Sequence, residues 1–376
     1  MKFVLAPDSF KGSLTAAQAA DIMVRAVKDE LPGAEAVGIP MADGGEGTVD
    51  ALVSAGNGAK RPIRATGPLG TPIRSYYGAV GRTAVLEAAN LFGLTMLRES
   101  KRNPLHTTSA GLGEALKAAL DDGYDDIVVG LGGSSTNDGG IGMLSALGAR
   151  FYDRSGKLLQ GFGRELSELN AADFGGLDAR LSSCTITVAC DVGNPLVGDE
   201  GASIVYGPQK GASPDLCRAL DASMAKYADK VEAVFGRLRD VPGAGAAGGL
   251  GFALLALGAR LVPGAQVLET KVGLREKIRD ADWVLTGEGR SDGQTLYGKL
   301  PLHVARLARE TGTKAVLLSG SLGENSERLA PFFAGCFSIV EQPESLQNCM
   351  EKAEIYLYRS TRNVVRLIAS ASGGKE

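Results

Sequence analysis

The 376-residue sequence predicts an α/β fold built on a parallel sheet and interrupted by a second, mixed α/β domain. Three observations carry this. Short apolar runs alternate with amphipathic runs of helical period, the pattern of successive βα units. Two stretches break that rhythm, one reading as a hairpin and one as short strands among glycine-rich loops. The length also exceeds what a single core usually serves and suits two domains.

The elements follow in order. Residues 3–6 form an apolar first strand, too short for a signal peptide. Thr15 and Gln18 make a capping box, and Ala19, Ile22, Met23, Ala26 and Val27 recur at helical spacing until Pro32-Gly33 ends the helix. A second strand, 36–40, leads into Asp43-Gly44-Gly45-Glu46-Gly47 and another helix. Residues 63–94 read as hairpin strands. A helix bearing Leu112, Ala115, Leu116, Ala119 and Leu120 precedes a strand at 127–131. Residues 149–275 mix short strands, such as 184–190, with glycine-rich loops. Residues 282–286 and 314–318 read as buried strands with a helix near 302–308 between them, and 337–340 as a last strand before one long C-terminal helix. The first domain is therefore discontinuous, 1–62, 95–148 and 276–376, with an inserted domain of 63–94 and 149–275.

Composition narrows the function. A net charge of −3 without a basic run gives no electrostatic case for nucleic acid. The most apolar stretch, 248–262, is broken by glycines and Arg260, so it is core and not a membrane span. Five cysteines without a CxxC pair speak against a disulfide framework or zinc site and for the reducing cytoplasm. Two histidines, His106 and His303, cannot build a metal cluster. Glycine is the deviation: 52 residues imply many tight turns or close approaches to a ligand.

In an open parallel sheet, ligands bind beyond the carboxyl ends of the strands. Five strand ends carry a carboxylate among small residues: Asp8-Ser9-Phe10-Lys11-Gly12, Asp43-Gly44-Gly45-Glu46, Gly132 through Asp138, Asp191-Val192-Gly193-Asn194, and Gly287-Glu288-Gly289-Arg290-Ser291-Asp292. Any one of these is an ordinary turn. Five at one sheet edge would repel one another unless cations compensate, and Mg²⁺ shared with phosphates is the common solution. Gly132, Gly133, Ser134, Ser135 and Asn137 read as a phosphate cradle. Lysines among the glycines, Lys11, Lys210 and Lys299 beside Gly298, suit the charge of a moving phosphoryl group. From this chemistry Asp191 is assigned as base or hydroxyl-orienting carboxylate, with Lys11 and Lys210 beside the phosphoryl group. Asp138, Glu288 and Asp292 are assigned as Mg²⁺ ligands, Asp8, Ser9 and Asp43 to the substrate, and Arg74 to a substrate carboxylate. Two rivals stand. Gly130-x-Gly132-x-x-Ser135 with Asp153 approaches a dinucleotide fingerprint, the mark of an NAD-linked oxidoreductase. Two α/β domains around a cleft would also suit a non-catalytic binding module.

The same loops carry a resemblance. Residues 6–14, 40–48, 132–140, 189–196, 206–212, 242–249 and 285–290 resemble, in order, the signature segments of the bacterial glycerate kinase family, with Ser135 and Tyr206 as mild departures. The resemblance implies a Rossmann- or flavodoxin-like domain with a second domain and an active site in the cleft between them. It also implies ATP-dependent phosphorylation of D-glycerate to a phosphoglycerate, the 2- or the 3-isomer, for which phosphoryl-transfer chemistry suggests direct in-line attack of the hydroxyl. Partners are then glycerate and ATP, with neither nucleic acid nor membrane, and a homodimer is left open.

Overall fold

Residues 1–43, 50–57 and 265–376 form one unit, and 44–49 with 58–264 form the other. The structure, a computed structural model, describes residues 1–297 and 299–372, so Gly298 lies outside the described residues.

The first unit is a five-stranded, all-parallel sheet. Its strands are β1 (Lys2–Leu5), β2 (Glu35–Gly38), β3 (Trp283–Thr286), β4 (Lys314–Ser319) and β5 (Gly335–Ser338), in the spatial order β5-β4-β3-β1-β2. Read from the other edge this is 2-1-3-4-5, the flavodoxin-like order. Its switch point falls between β1 and β3, where the chain reverses its direction of travel across the sheet. The helix Ala16–Glu30 begins on the capping box, with Gln18 N–H donating to Thr15 Oγ1 and Thr15 N–H to Gln18 Oε1. Its face of Ala19, Ile22, Met23 and Val27 joins Phe3, Leu5, Leu285, Val316, Leu357 and Val365 in one core. The expected single C-terminal helix is two, Leu346–Glu351 and Ala353–Ser372. Ser345 caps the first, and Lys352 between them turns its ammonium to Glu344 at 2.8 Å.

The second unit carries a six-stranded mixed sheet. Arg260–Val262, Thr185–Ala189, Asp126–Gly130 and Thr83–Glu87 run parallel, and the antiparallel hairpin Pro72–Val80 and Ala59–Thr66 extends it. Here the sequence reading needs correcting. Residues 95–148 were expected in the first domain, yet Asp126–Gly130 hydrogen-bonds between Thr83–Glu87 and Thr185–Ala189. A buried parallel strand has the same apolar run in any sheet, so periodicity cannot say which sheet it joins. The five acidic strand ends consequently lie on two sheets, not one. Asp8, Asp43 and Glu288 follow β1, β2 and β3 of the first, whereas Gly132–Asp138 and Asp191 follow strands of the second. Among the described residues no helix is long and apolar enough to cross a membrane.

Candidate active site

The first sheet presents its chemistry at the switch point. Asp8 leaves β1 with its backbone N–H bonded to Gly287 O at 2.8 Å, so the ends of β1 and β3 are tied together. Its carboxylate accepts from Ser9 N–H at 2.6 Å. Burial and the like charge of Asp43 push the Asp8 carboxyl up to about 7, with Lys11 pulling the other way and Glu288 adding to the rise. A tight turn holds Lys11 out. Phe10 is buried and exchanges backbone bonds with Leu14 in both directions, Ser13 Oγ donates to Phe10 O, and Gly12 takes φ +83°.

Glu288 is the second anchor. Its Oε1 accepts from Ser291 Oγ at 2.8 Å and Thr295 Oγ1 at 3.0 Å, while Oε2 lies 3.9 Å from Lys299 Nζ. Burial raises its pKa above the usual range, with the Lys299 charge opposing. The same lysine lies 4.0 Å from Asp292 Oδ1, and Asp292 Oδ2 is 3.4 Å from Arg290 Nε. The structure therefore gathers Asp8, Ser9, Lys11, Asp43, Glu288, Asp292 and Lys299 in one unit. Ser291, Thr295 and Ser319, which sequence reasoning passed over, fix the Glu288 loop; Ser291 and Ser319 hydroxyls are 2.7 Å apart. The signal was local, since Ser291 and Thr295 stand three and seven residues after the glutamate.

Several expectations change in the second unit. Lys210, expected beside the phosphoryl group, is 2% exposed and donates to Thr136 O at 2.6 Å and Ser134 Oγ at 3.3 Å. It is a strut beneath the loop. Asp138, expected as a metal ligand, is fully buried and accepts from Ser109 N–H and Oγ, both at 2.7 Å, and from Gly140 N–H at 3.0 Å. These donors take up its oxygens and tie the loop to the helix Ala110–Asp121, and burial raises its pKa. Ser135 Oγ donates to Phe92 O, and Asn137 Nδ2 to Ser203 Oγ. Hydroxyls and amides serve a loop's own interior as readily as a ligand, so of the expected cradle only Gly132 and Gly133 reach the surface. Asp191 is exposed, and its Oδ1 accepts from Gly264 N–H at 2.9 Å. Arg74 is exposed and sits directly opposite Arg64 in the hairpin register. Asp153 closes its own turn, accepting from Ser155 and Lys157 N–H, which leaves the dinucleotide reading without its ribose-binding acid.

Lys210 gives a sign-definite test. Burial pushes its ammonium from 10.5 down to about 7. The cost of a buried charge is then fully present below about pH 7, and stability is regained as pH rises toward the unfolded value. Relative to Lys210→Met, which lacks this titration, the parent should gain up to ~1.4 kcal/mol per pH unit across that window. Thermal melts of both proteins between about pH 7 and 9.5 check it; parallel curves would refute the assignment.

Comparison with known proteins adds the following. A family model described as the glycerate kinase family matches residues 3–369. The glycerate kinase of Bacillus subtilis is 45% identical over 376 residues, covering 99% of this chain and 98% of that protein. The glycerate 2-kinase of Escherichia coli K12 is 43% identical, with 98% of each chain covered. A crystal structure assigned to glycerate kinase 2 of Salmonella typhimurium LT2 superposes with a TM-score of 0.89 at 40% identity, covering 100% of both chains.

Proposed function

Because the chain belongs to the glycerate kinase family, a family of phosphotransferases with an alcohol acceptor, we propose that it transfers the terminal phosphoryl group of ATP to the 2-hydroxyl of D-glycerate, using the switch point of its first sheet. The observation that carries this is the cluster of Asp8, Asp43 and Glu288 on three adjacent strand ends, with Lys11 and Lys299 beside it. The 2-position follows the name of the E. coli relative.

Asp8 is the carboxylate that orients the attacking hydroxyl and takes its proton, replacing Asp191 in that role. Its carboxyl accepts from Ser9 N–H and is raised by burial and its neighbours, so its proton affinity lies near the working pH. Lys11 and Lys299 offset charge on the phosphoryl oxygens, since phosphoryl transfer depends on positioning and electrostatics more than on covalent help. Among the described residues no three acidic, histidine or cysteine side chains form a metal cage. Glu288 and Asp292 are the carboxylates that would hold a Mg²⁺ sharing phosphate oxygens, because both face one cation, Lys299, and one or two carboxylates per ion suffice when phosphates supply the rest. When bound with ATP, the metal supplies neutralisation of phosphate charge. With all five cysteines unpaired, the reading also suits the cytoplasm.

The test is ADP release in a coupled assay with and without D-glycerate, followed by phosphorus NMR of the product. Glycerate-dependent ADP with a phosphomonoester at the 2-position is expected. ADP release indifferent to glycerate would reject the function, and a 3-phosphate product would reject the regiochemistry.

A further inference from the structure

Beside the Glu288 loop lies a cavity of about 390 Å³, walled by Arg290, Asp292, Gln294, Glu324, Asn325 and Arg328. Two loops build it, and backbone bonds lock them together. Gly293 N–H donates to Glu324 O at 2.9 Å and Gly323 N–H to Ser291 O at 2.8 Å, flanking the two-residue parallel ribbon of Arg290–Ser291 with Ser321–Leu322. Asn325 takes φ +60°, a left-handed conformation that asparagine adopts more readily than other non-glycine residues.

We propose that this cavity receives the nucleotide, with its polyphosphate against the guanidinium groups of Arg290 and Arg328. The inference rests on the ATP-dependent reading above and extends it to a named subsite. Size is the first argument. Ligand pockets commonly measure about 300–1,000 Å³, and glycerate, a three-carbon acid, would fill only a small part of this one. Chemistry is the second. Arg328 is exposed and makes no ion pair with a described residue, so its planar fork is available for phosphate oxygens. Arg290 stands in the same wall, largely exposed, with its Nε 3.4 Å from Asp292 Oδ2. Its guanidinium occupies the space a side chain at Gly323 would need, since a Cβ there would lie 3.0 Å from Nε and 3.1 Å from a terminal nitrogen. Continuity is the third. Asp292 turns Oδ2 to Arg290 in the cavity wall and Oδ1 toward Lys299, which also faces Glu288. A phosphate chain leaving the arginines therefore meets the carboxylate and lysine cluster already assigned to phosphoryl transfer.

The experiment compares the full-length parent with Arg328→Gln by calorimetric titration of ADP and by steady-state kinetics in both substrates. Arg328→Gln is expected to weaken ADP binding tenfold or more and to raise the KM for ATP in parallel, with the KM for glycerate within twofold. Gly323→Ala, whose Cβ would crowd the Arg290 guanidinium and the Asp292 Cβ alike, should weaken ADP in the same direction. ADP affinity within twofold of the parent in both variants would overturn the proposal. So would a loss confined to the glycerate KM, which would make the cavity the acid's site. If the parent itself releases no ADP with glycerate, the function falls first; if the parent turns over normally and only the ADP shift is missing, this inference alone falls.

Discussion

Asp8→Asn is expected to lower kcat by ~10²–10⁴-fold, the range that positioned proton transfer contributes, while leaving the fold intact or more stable. Asparagine keeps the shape and can still accept from Ser9 N–H, but it cannot take a proton from the substrate hydroxyl. The stability side has a definite sign. Burial and the charge of Asp43 raise the Asp8 carboxyl from 3.8 to about 7. A raised carboxyl contributes stability that is fully present below about pH 3.8 and lost as pH climbs through about 7. Near pH 8 the metal-free parent thus holds a partly buried, repelled charge that the variant lacks, so the variant should melt at the same or a higher temperature. Near pH 4 that advantage should vanish. Trp283 lies on β3, paired with Phe3 of β1, and its fluorescence reports this unit. Asp191→Asn is the contrast. Its oxygen caps Gly264 N–H, a bond asparagine can keep, so turnover should stay within ~threefold. Near-normal kcat in Asp8→Asn with a collapse in Asp191→Asn would return the base to Asp191.

Much of the first unit was legible because its signals are local. The capping box at Thr15, the helical spacing of Ala19 to Val27 and the acidic turns after β1, β2 and β3 each fit within a few residues. Sheet membership was not, since it is decided by pairings between strands far apart in sequence. Asp126–Gly130 was given to the wrong sheet for that reason, and the strand-end carboxylates were consequently pooled at one edge. Side-chain fate was legible only in part. A lysine among glycines reads the same whether solvated or sealed, yet Lys210 is sealed and Lys11 exposed. What separates them is the packing of the loop at Thr136 over one, a fact of tertiary structure. Asp138 taught the same lesson with the opposite charge: its carboxylate is absorbed by Ser109 and Gly140 before any ion could use it.

Gly287→Ala is expected to cost roughly 2–4 kcal/mol, the scale of forced overpacking and backbone strain, and to cut kcat by ~10²-fold through misplacement of Glu288. Gly287 stands where the chain leaves β3 for the acidic loop. A Cβ there would lie 1.9 Å from Leu318 O of the neighbouring strand and 3.4 Å from the Phe10 ring. The first contact is with backbone, so no rotamer relieves it, and the strand ends must part by about 1 Å or more to reach ordinary contact distance. Two bonds that set the site cross this seam, Gly320 N–H to Glu288 O at 3.0 Å and Ser321 N–H to Gly289 O at 3.1 Å, and Gly287 O itself holds Asp8 N–H at 2.8 Å across the seam on its other side, between β3 and β1. Separating the strands therefore moves Asp8 and Glu288 together, which couples the loss of stability to the loss of rate. Gly33→Ala is the control, because nothing lies within 4 Å of its Cβ and its backbone is not left-handed. Thermal melts followed by Trp283 should show Gly287→Ala falling by ~5–10 °C and Gly33→Ala within ~1 °C of the parent. A Gly287→Ala protein that melts with the parent and turns over normally would mean the seam opens freely. The rigid placement of Asp8 against Glu288, on which the proposed chemistry depends, would then be wrong.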